Sequence, residues 1–370
     1  MKDAVIGNAE LTQDLTGFMQ QVLNDNPAVP GIVMEIDAPA ASFCFSHAVG
    51  VANKATGTPL SCDHPARVAS NTKTYVAAAI LRLWEDGKLD LDAPIKRYLP
   101  PDHIATLEQG GYDLEAIKVR HLLTHTSGLF DYSDSDAFNE KVLPGTHCWT
   151  RFEQLQGAVA WGQPYGPPGE VFRYTDTGFN ELAEIIEQVS GASSYGTAIR
   201  DLVGFEKLGI HKTWLEGFEP QPANTLERAH QYLDGASNFD HDPSEDLHGG
   251  GGLVATMADL LLFHQALFAG GVYSRPETVQ VMLSTVPSKR GGPIAYGREQ
   301  TPGEYRMGLF VYEIGGALCY LHGGFFGTEA VYIPSLRTTI ALTVNMAESK
   351  AGARLLDLVV RRLNTEDGLK

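Results

Sequence analysis

Leu11, Leu15, Phe18, Val22 and Leu23 recur at helical spacing and predict an amphipathic helix near the start of the chain. The next runs, GIVMEIDAP and SFCFSHAVGVAN, alternate apolar and polar positions between Pro, Ala and Gly, which is the pattern of paired strands. Strand-like runs return late, as MGLFVYEI, ALCYLH, TEAVYIP and TTIALTVN, followed by a last helical stripe of Leu355, Leu356, Val359, Val360 and Leu363. From Ser70 to about residue 270 the chain reads as helical segments cut by Gly-, Pro- and Asp-rich loops such as WGQPYGPPGE and DGASNFDHDPSEDLHGGGG. Strands at both chain ends have to meet in one antiparallel sheet covered by the terminal helices. The expected class is α+β. Residues 1–66 and 285–370 would form the sheet lobe, 67–284 a mostly helical inserted lobe, and the cleft between them the natural pocket.

Within the middle segment, ASNTKTYVAAAILRLWEDG places Ser70 and Lys73 three residues apart on one helix face, so their side chains can touch. Val76, Ile80 and Leu83 continue the buried stripe, Trp84 thickens it, and Gly87 is placed to stop it. A lysine at the buried end of a core helix is either a first-turn surface residue or the partner of a nucleophile. The pair alone does not choose between them.

Composition narrows the chemistry. With 43% hydrophobic residues in 370, the chain can bury a large core, and a formal charge of −17 disfavours nucleic acid or an anionic membrane as partner. Neither an apolar run long enough to span a bilayer nor a basic start followed by an apolar core is visible, which points to a cytoplasmic protein, or to a periplasmic one whose signal has been trimmed. Cys44, Cys62, Cys148 and Cys319 have no pairing rhythm and suggest neither disulfides nor a zinc site. No G-x-S-x-G, H-E-x-x-H, P-loop or G-x-G-x-x-G occurs. His121 and His125 are spaced i, i+4 but lack a third ligand, so a helix end before Gly128 is the expected use. His241 and His248 lie in an acidic loop that reads as solvated. The run Gly249–Gly252 is suited to a close backbone approach.

Ser70-x-x-Lys73, then Tyr174-Thr-Asp176 just before a helix, then His322-Gly323-Gly324 at a strand, occur in an order that resembles the penicillin-recognising serine hydrolases. The similar branch holds class C β-lactamases, DD-carboxypeptidases, D-aminopeptidases, D-amino acid amidases and family VIII esterases. EDGKLDLDAPIKRYLP, VRHLLTHTSGL and GGGGLVATMADLLLFHQAL also look like that family's connecting segments, so the resemblance runs from about residue 28 to the last helix. It implies a β-lactamase/transpeptidase-like fold. It also implies that Ser70 attacks a carbonyl and is acylated, that Lys73 acts as base if burial lowers its pKa, and that Tyr174 shares the proton traffic. The oxyanion hole would be the backbone N–H groups of Ser70 and Phe325, and Asp176, His322, Gly323 and Gly324 would contact substrate. No cofactor or metal is implied; the expected partner is a small molecule or short peptide.

Two positions depart from the common pattern. Asp176 stands where many members have Asn, and a carboxylate near Lys73 favours its charged form, which would pass the base role to Tyr174. His322 replaces a lysine suited to a substrate carboxylate. Both lean away from β-lactams. The reading is therefore a serine hydrolase of small amides or peptides, with an esterase as runner-up and a β-lactamase or a non-turning-over penicillin-binding sensor as further alternatives.

Overall fold

The computed structural model describes residues 4–6, 8–286, 288–290, 303–347 and 349–369; residues 291–302 of the expected sheet lobe lie outside the described residues. The main sheet runs in the spatial order Ala4–Ile6, Phe43–Asn53, Gly31–Ala38, Thr338–Thr343, Thr328–Ile333, Ala317–Gly324, Phe310–Ile314, Gly303–Tyr305, with Thr58–Pro59 paired to Phe43–Asn53. Every neighbouring pair is antiparallel. Strands from the two chain ends join at the centre, where Ile36 pairs with Ile340 and Met34 with Leu342. All six residues of Thr338–Thr343 are buried, because both faces of this central strand are covered and alternation is no longer required.

One face carries the terminal helices, Ala9–Asp25 and Ala351–Leu363, whose Leu11, Leu15, Met19, Val22, Leu355, Leu356, Val359 and Val360 pack with Ile32, Ile36, Ile340 and Leu342. The deep line of the first helix is 11, 15, 19, 22, so Met19 takes the place expected of Phe18, and Phe18 and Leu23 sit half-buried at its edges. The opposite face receives the helix Met257–Ala269, which lies over Gly31–Ala38, Thr328–Ile333 and Thr338–Thr343.

The helical lobe is centred on Thr72–Glu85, which packs against Asp176–Ser190 and Tyr195–Val203. Its Tyr75 ring stacks on Phe263 with centroids 3.6 Å apart, tying this helix to the one on the sheet. The lobe also holds a small antiparallel sheet of Ala66–Arg67, Leu253–Ala255 and Thr213–Leu215 that the sequence pattern does not reveal. Strands of two or three residues are too short to display a period. Two glycines bring the lobes into backbone contact. A Cβ on Gly324 would collide with the Val68 carbonyl, and Gly308, at φ +77°, lies against Ala77 while its carbonyl accepts from Thr74 Oγ1 at 2.7 Å. Among the described residues no helix is long and apolar enough to cross a membrane.

Because Phe263 is fully buried and stacked between the layers, Phe263→Ala is expected to cost about 3–5 kcal/mol of unfolding free energy in chemical denaturation, with the m-value unchanged.

Candidate active site

Ser70 lies in a 3-10 turn, Ala69–Asn71, directly before its helix, and Ala69 is held at φ +45°, a conformation that a residue with a Cβ adopts only under constraint. One turn on, Lys73 is fully buried. Its Nζ meets three acceptors: Ser70 Oγ at 2.9 Å, the Gly250 carbonyl at 2.6 Å and Asp176 Oδ1 at 2.5 Å. Three acceptors match the three N–H donors of an ammonium; a neutral amine has only two.

Each acceptor is held in turn. Gly250 N–H donates to Asn180 Oδ1 at 3.1 Å, Asn180 Nδ2 donates to Gln154 Oε1 at 2.7 Å, and Gln154 Nε2 donates to the carbonyls of Ser244 and Glu245. The flanking glycines permit this approach: a Cβ on Gly249 would strike the Phe179 carbonyl, and one on Gly251 the Asp246 carboxyl. Asp176 opens the helix Asp176–Ser190, where the aligned backbone dipoles favour a carboxylate, and its own N–H donates to Asp131 Oδ2 at 3.0 Å.

Two further carboxyls, Asp131 and Asp246, lie close enough to the Lys73–Asp176 pair to feel its carboxylate. Burial, then the charge of Asp176, raises Asp131 well above the ordinary carboxyl range, and the same two causes push Asp246 up to about 8. The second and third carboxyls are therefore protonated at neutral pH. The Ser70 side chain lies near the Tyr174 phenol and favours its ionisation, and Lys73 Nζ lies 4.9 Å from its ring centre. Burial and the Asp176 charge nevertheless drive the phenol well above its usual value, against the pull of Ser70. This corrects the expectation that Asp176 turns Tyr174 into a resting phenolate base: the carboxylate that pairs with Lys73 also opposes negative charge on the phenol.

His322 is buried. Its Nδ1–H donates to the Gly323 carbonyl at 2.7 Å, Nε2 faces the Tyr305 hydroxyl at 3.4 Å, and burial with the nearby Lys73 charge lowers it to about 3. The imidazole is neutral and turned inward, so this strand end offers a ligand the backbone of Gly323 and Gly324 rather than a cation. Phe325 follows at once, half-exposed, beside the turn that Gly324 touches through Val68.

His125 closes the helix Val119–Leu123 as expected: it takes the left-handed conformation just past Thr124, at φ +54°, with its N–H donating to the Leu122 carbonyl at 3.2 Å and the Thr126 N–H to the His121 carbonyl at 2.8 Å. Its side chain does more, drawn into the site with its ring 4.2 Å from that of Tyr174. His121 accepts from Lys118 N–H at the start of that helix. His248 Nε2–H donates to the Trp149 carbonyl at 3.1 Å within the loop before Gly249, and the residue is buried rather than solvated. Among the described residues no His, Cys, Asp and Glu side chains group as a metal site. The sequence reading missed Asp131 and Asp246, in loops that gave no signal, and Asn180, inside the helix Asp176–Ser190; the glycine run was the one clue.

The sequence profile of the beta-lactamase family matches residues 23–364. The chain belongs to that family. Its relatives include penicillin-binding protein 4* of Bacillus subtilis (strain 168), 26% identical over 281 residues that cover 70% of this chain and 57% of that protein. Esterase EstB of Burkholderia gladioli is 38% identical over 121 residues, 33% of this chain and 30% of the esterase. The chain spans about half the length of such curated relatives, or less. A solved D-stereospecific amidohydrolase from Streptomyces sp. superposes with a TM-score of 0.75 at 25% identity, over 92% of this chain and 97% of the amidohydrolase. The β-lactamase/transpeptidase-like α+β fold is therefore the family's, and the family is one of serine hydrolases.

The raised carboxyls give this site a pH signature. Asp246 titrates near 3.9 when unfolded and near 8 when folded, so its protonated form stabilises the fold fully below about pH 4, and that stability is lost as pH rises through 8. Between pH 5 and pH 9 the melting temperature of the wild type should fall more steeply than that of Asp246→Asn; parallel curves would show that Asp246 is ionised in the fold.

Proposed function

We propose that the protein is an acyl-transferring serine hydrolase of small amides or short peptides. The observation that carries this reading is the 2.9 Å contact of Lys73 Nζ with Ser70 Oγ, with the Tyr174 ring 4.9 Å from the same Nζ. In this reading Ser70 Oγ adds to the substrate carbonyl as Lys73 Nζ hands one of its protons to Asp176 Oδ1 and takes the serine proton in its place, leaving Asp176 protonated and Lys73 an ammonium. The backbone N–H groups of Ser70 and Phe325 receive the oxyanion. Tyr174, which holds its proton, gives it to the leaving nitrogen; water then cleaves the acyl-enzyme, returning one proton to Tyr174 and releasing the Lys73–Asp176 proton to Ser70 Oγ. No metal or cofactor takes part.

The substrate class follows from the charge around the site. The Asp176 carboxylate at the site supports a substrate with a free amino group, and a neutral His322 offers nothing firm to a substrate carboxylate. The similarity to a D-stereospecific amidohydrolase supports amides of D-residues. The short but stronger match to an esterase supports ester turnover as the second reading.

A panel of D- and L-amino acid amides, short p-nitrophenyl esters and nitrocefin tests this. Amide turnover with a trapped acyl group on Ser70 by mass spectrometry, abolished in Ser70→Ala, is expected; preference for simple esters by orders of magnitude would sink the amidase reading. Asp176→Asn preserves shape and removes one charge. It should lower kcat/KM about tenfold or more (about 1.4 kcal/mol) for amides bearing the free amine relative to amine-free analogues. Equal losses on both would show that Asp176 serves Lys73 alone.

A further inference from the structure

Tyr174 sits between two residues that are both fastened to His125. Arg173 N–H donates to the His125 carbonyl at 2.9 Å, and Thr175 N–H donates to His125 Nδ1 at 3.2 Å. The imidazole lies against the phenol ring, 4.2 Å between centroids, and is closed in by Tyr305 at 4.4 Å and Phe179 at 5.0 Å. The residue is buried, and its left-handed backbone, which closes the helix Val119–Leu123 through the His125 N–H to Leu122 carbonyl and Thr126 N–H to His121 carbonyl bonds, turns the ring toward Tyr174.

We propose that His125 is a positioning residue that fixes the Tyr174 phenol beside Ser70 by gripping the backbone on either side of it and backing its ring. This rests on Tyr174 being the proton-transfer group of the reading above.

The grip needs a neutral imidazole. Nδ1 accepts from Thr175, so the ring proton is on Nε2, and a second proton on Nδ1 would turn that acceptor into a donor facing a donor. Burial holds the ring neutral, helped by the Lys73 charge on the Ser70 helix and by His322 on the sheet strand. Nε2–H has no hydrogen-bond partner among the described residues, a cost that the contacts made by Nδ1, the carbonyl and the ring face must offset. The sequence offers few alternatives here: the position asks for a side chain that tolerates positive φ, carries an acceptor near the backbone and presents a flat face. Asparagine supplies the first two, phenylalanine only the third.

The test uses His125→Asn and His125→Phe, each alone and with Tyr174→Phe, on the best amide of the panel. His125→Phe should reduce kcat by about 10- to 100-fold with KM changed by less than threefold, and His125→Asn should recover most of that loss by restoring the acceptor for Thr175. In the Tyr174→Phe background neither substitution should reduce kcat further, because the group being positioned is gone. Circular dichroism and melting curves identify any variant that fails to fold; should His125→Phe fail, the comparison of His125→Asn in the two backgrounds decides alone. Losses that add in the double variants would overturn the proposal and leave His125 a general packing residue. If Tyr174→Phe alone keeps full activity while Ser70→Ala is dead, the role of Tyr174 and with it the clamp both fall, although the serine hydrolase reading stands.

Discussion

The Lys73 ammonium, buried with three acceptors, is the constraint from which the rest of the site follows. A buried cation is tolerated only when it is paired and hydrogen-bonded, and here one partner comes from its own helix, one from the Gly249–Gly252 run and one from the start of the Asp176 helix. These three segments are far apart in sequence. Holding them within reach of one nitrogen requires the glycines that let the loop approach, the Gln154–Asn180 amide chain that aims the Gly250 carbonyl, and the Asp131 carboxyl that receives the Asp176 N–H. The site is assembled around a charge that no single segment could keep.

The same charge orders the protonation of its neighbours. One of three carboxyls is paired with it, and the other two stay protonated because burial and the charge of the first oppose a second and third anion. Tyr174 keeps its proton for the same reasons, and His125 and His322 stay neutral because burial and the nearby cation oppose another positive charge. Asp176 in place of an amide therefore affects the phenol, not only the lysine, which the sequence comparison of one position with one partner does not reveal.

Much of this was legible in the chain. The period-two runs and the two terminal helical stripes led to a sheet with one helical layer from the chain ends, and the Ser70-x-x-Lys73 spacing placed two side chains on one helix face because that follows from 3.6 residues per turn. What was not legible depends on tertiary contact. His125 read as the end of a helix, which it is, but nothing local shows that the Thr175 N–H will come to its ring. Asp131 and Asp246 looked like solvated loop acids, because their burial is created by segments from elsewhere. The two- and three-residue strands that anchor the Ser70 turn carry too few residues for any pattern.

The pairing of Ile36 with Ile340 has a consequence for how the protein comes into being. The strands Gly31–Ala38 and Phe43–Asn53 leave the ribosome early and have only each other and Ala4–Ile6 to pair with until Thr338–Thr343 is synthesised. Until then Gly31–Ala38 exposes an unpaired apolar edge, which is the kind of surface on which nascent chains aggregate and which chaperones cover. The Val68–Gly324 contact that frames Ser70 likewise waits for the strand Ala317–Gly324. During synthesis the protein is thus chemically silent and sticky at once, and both conditions end only when the late strands are made.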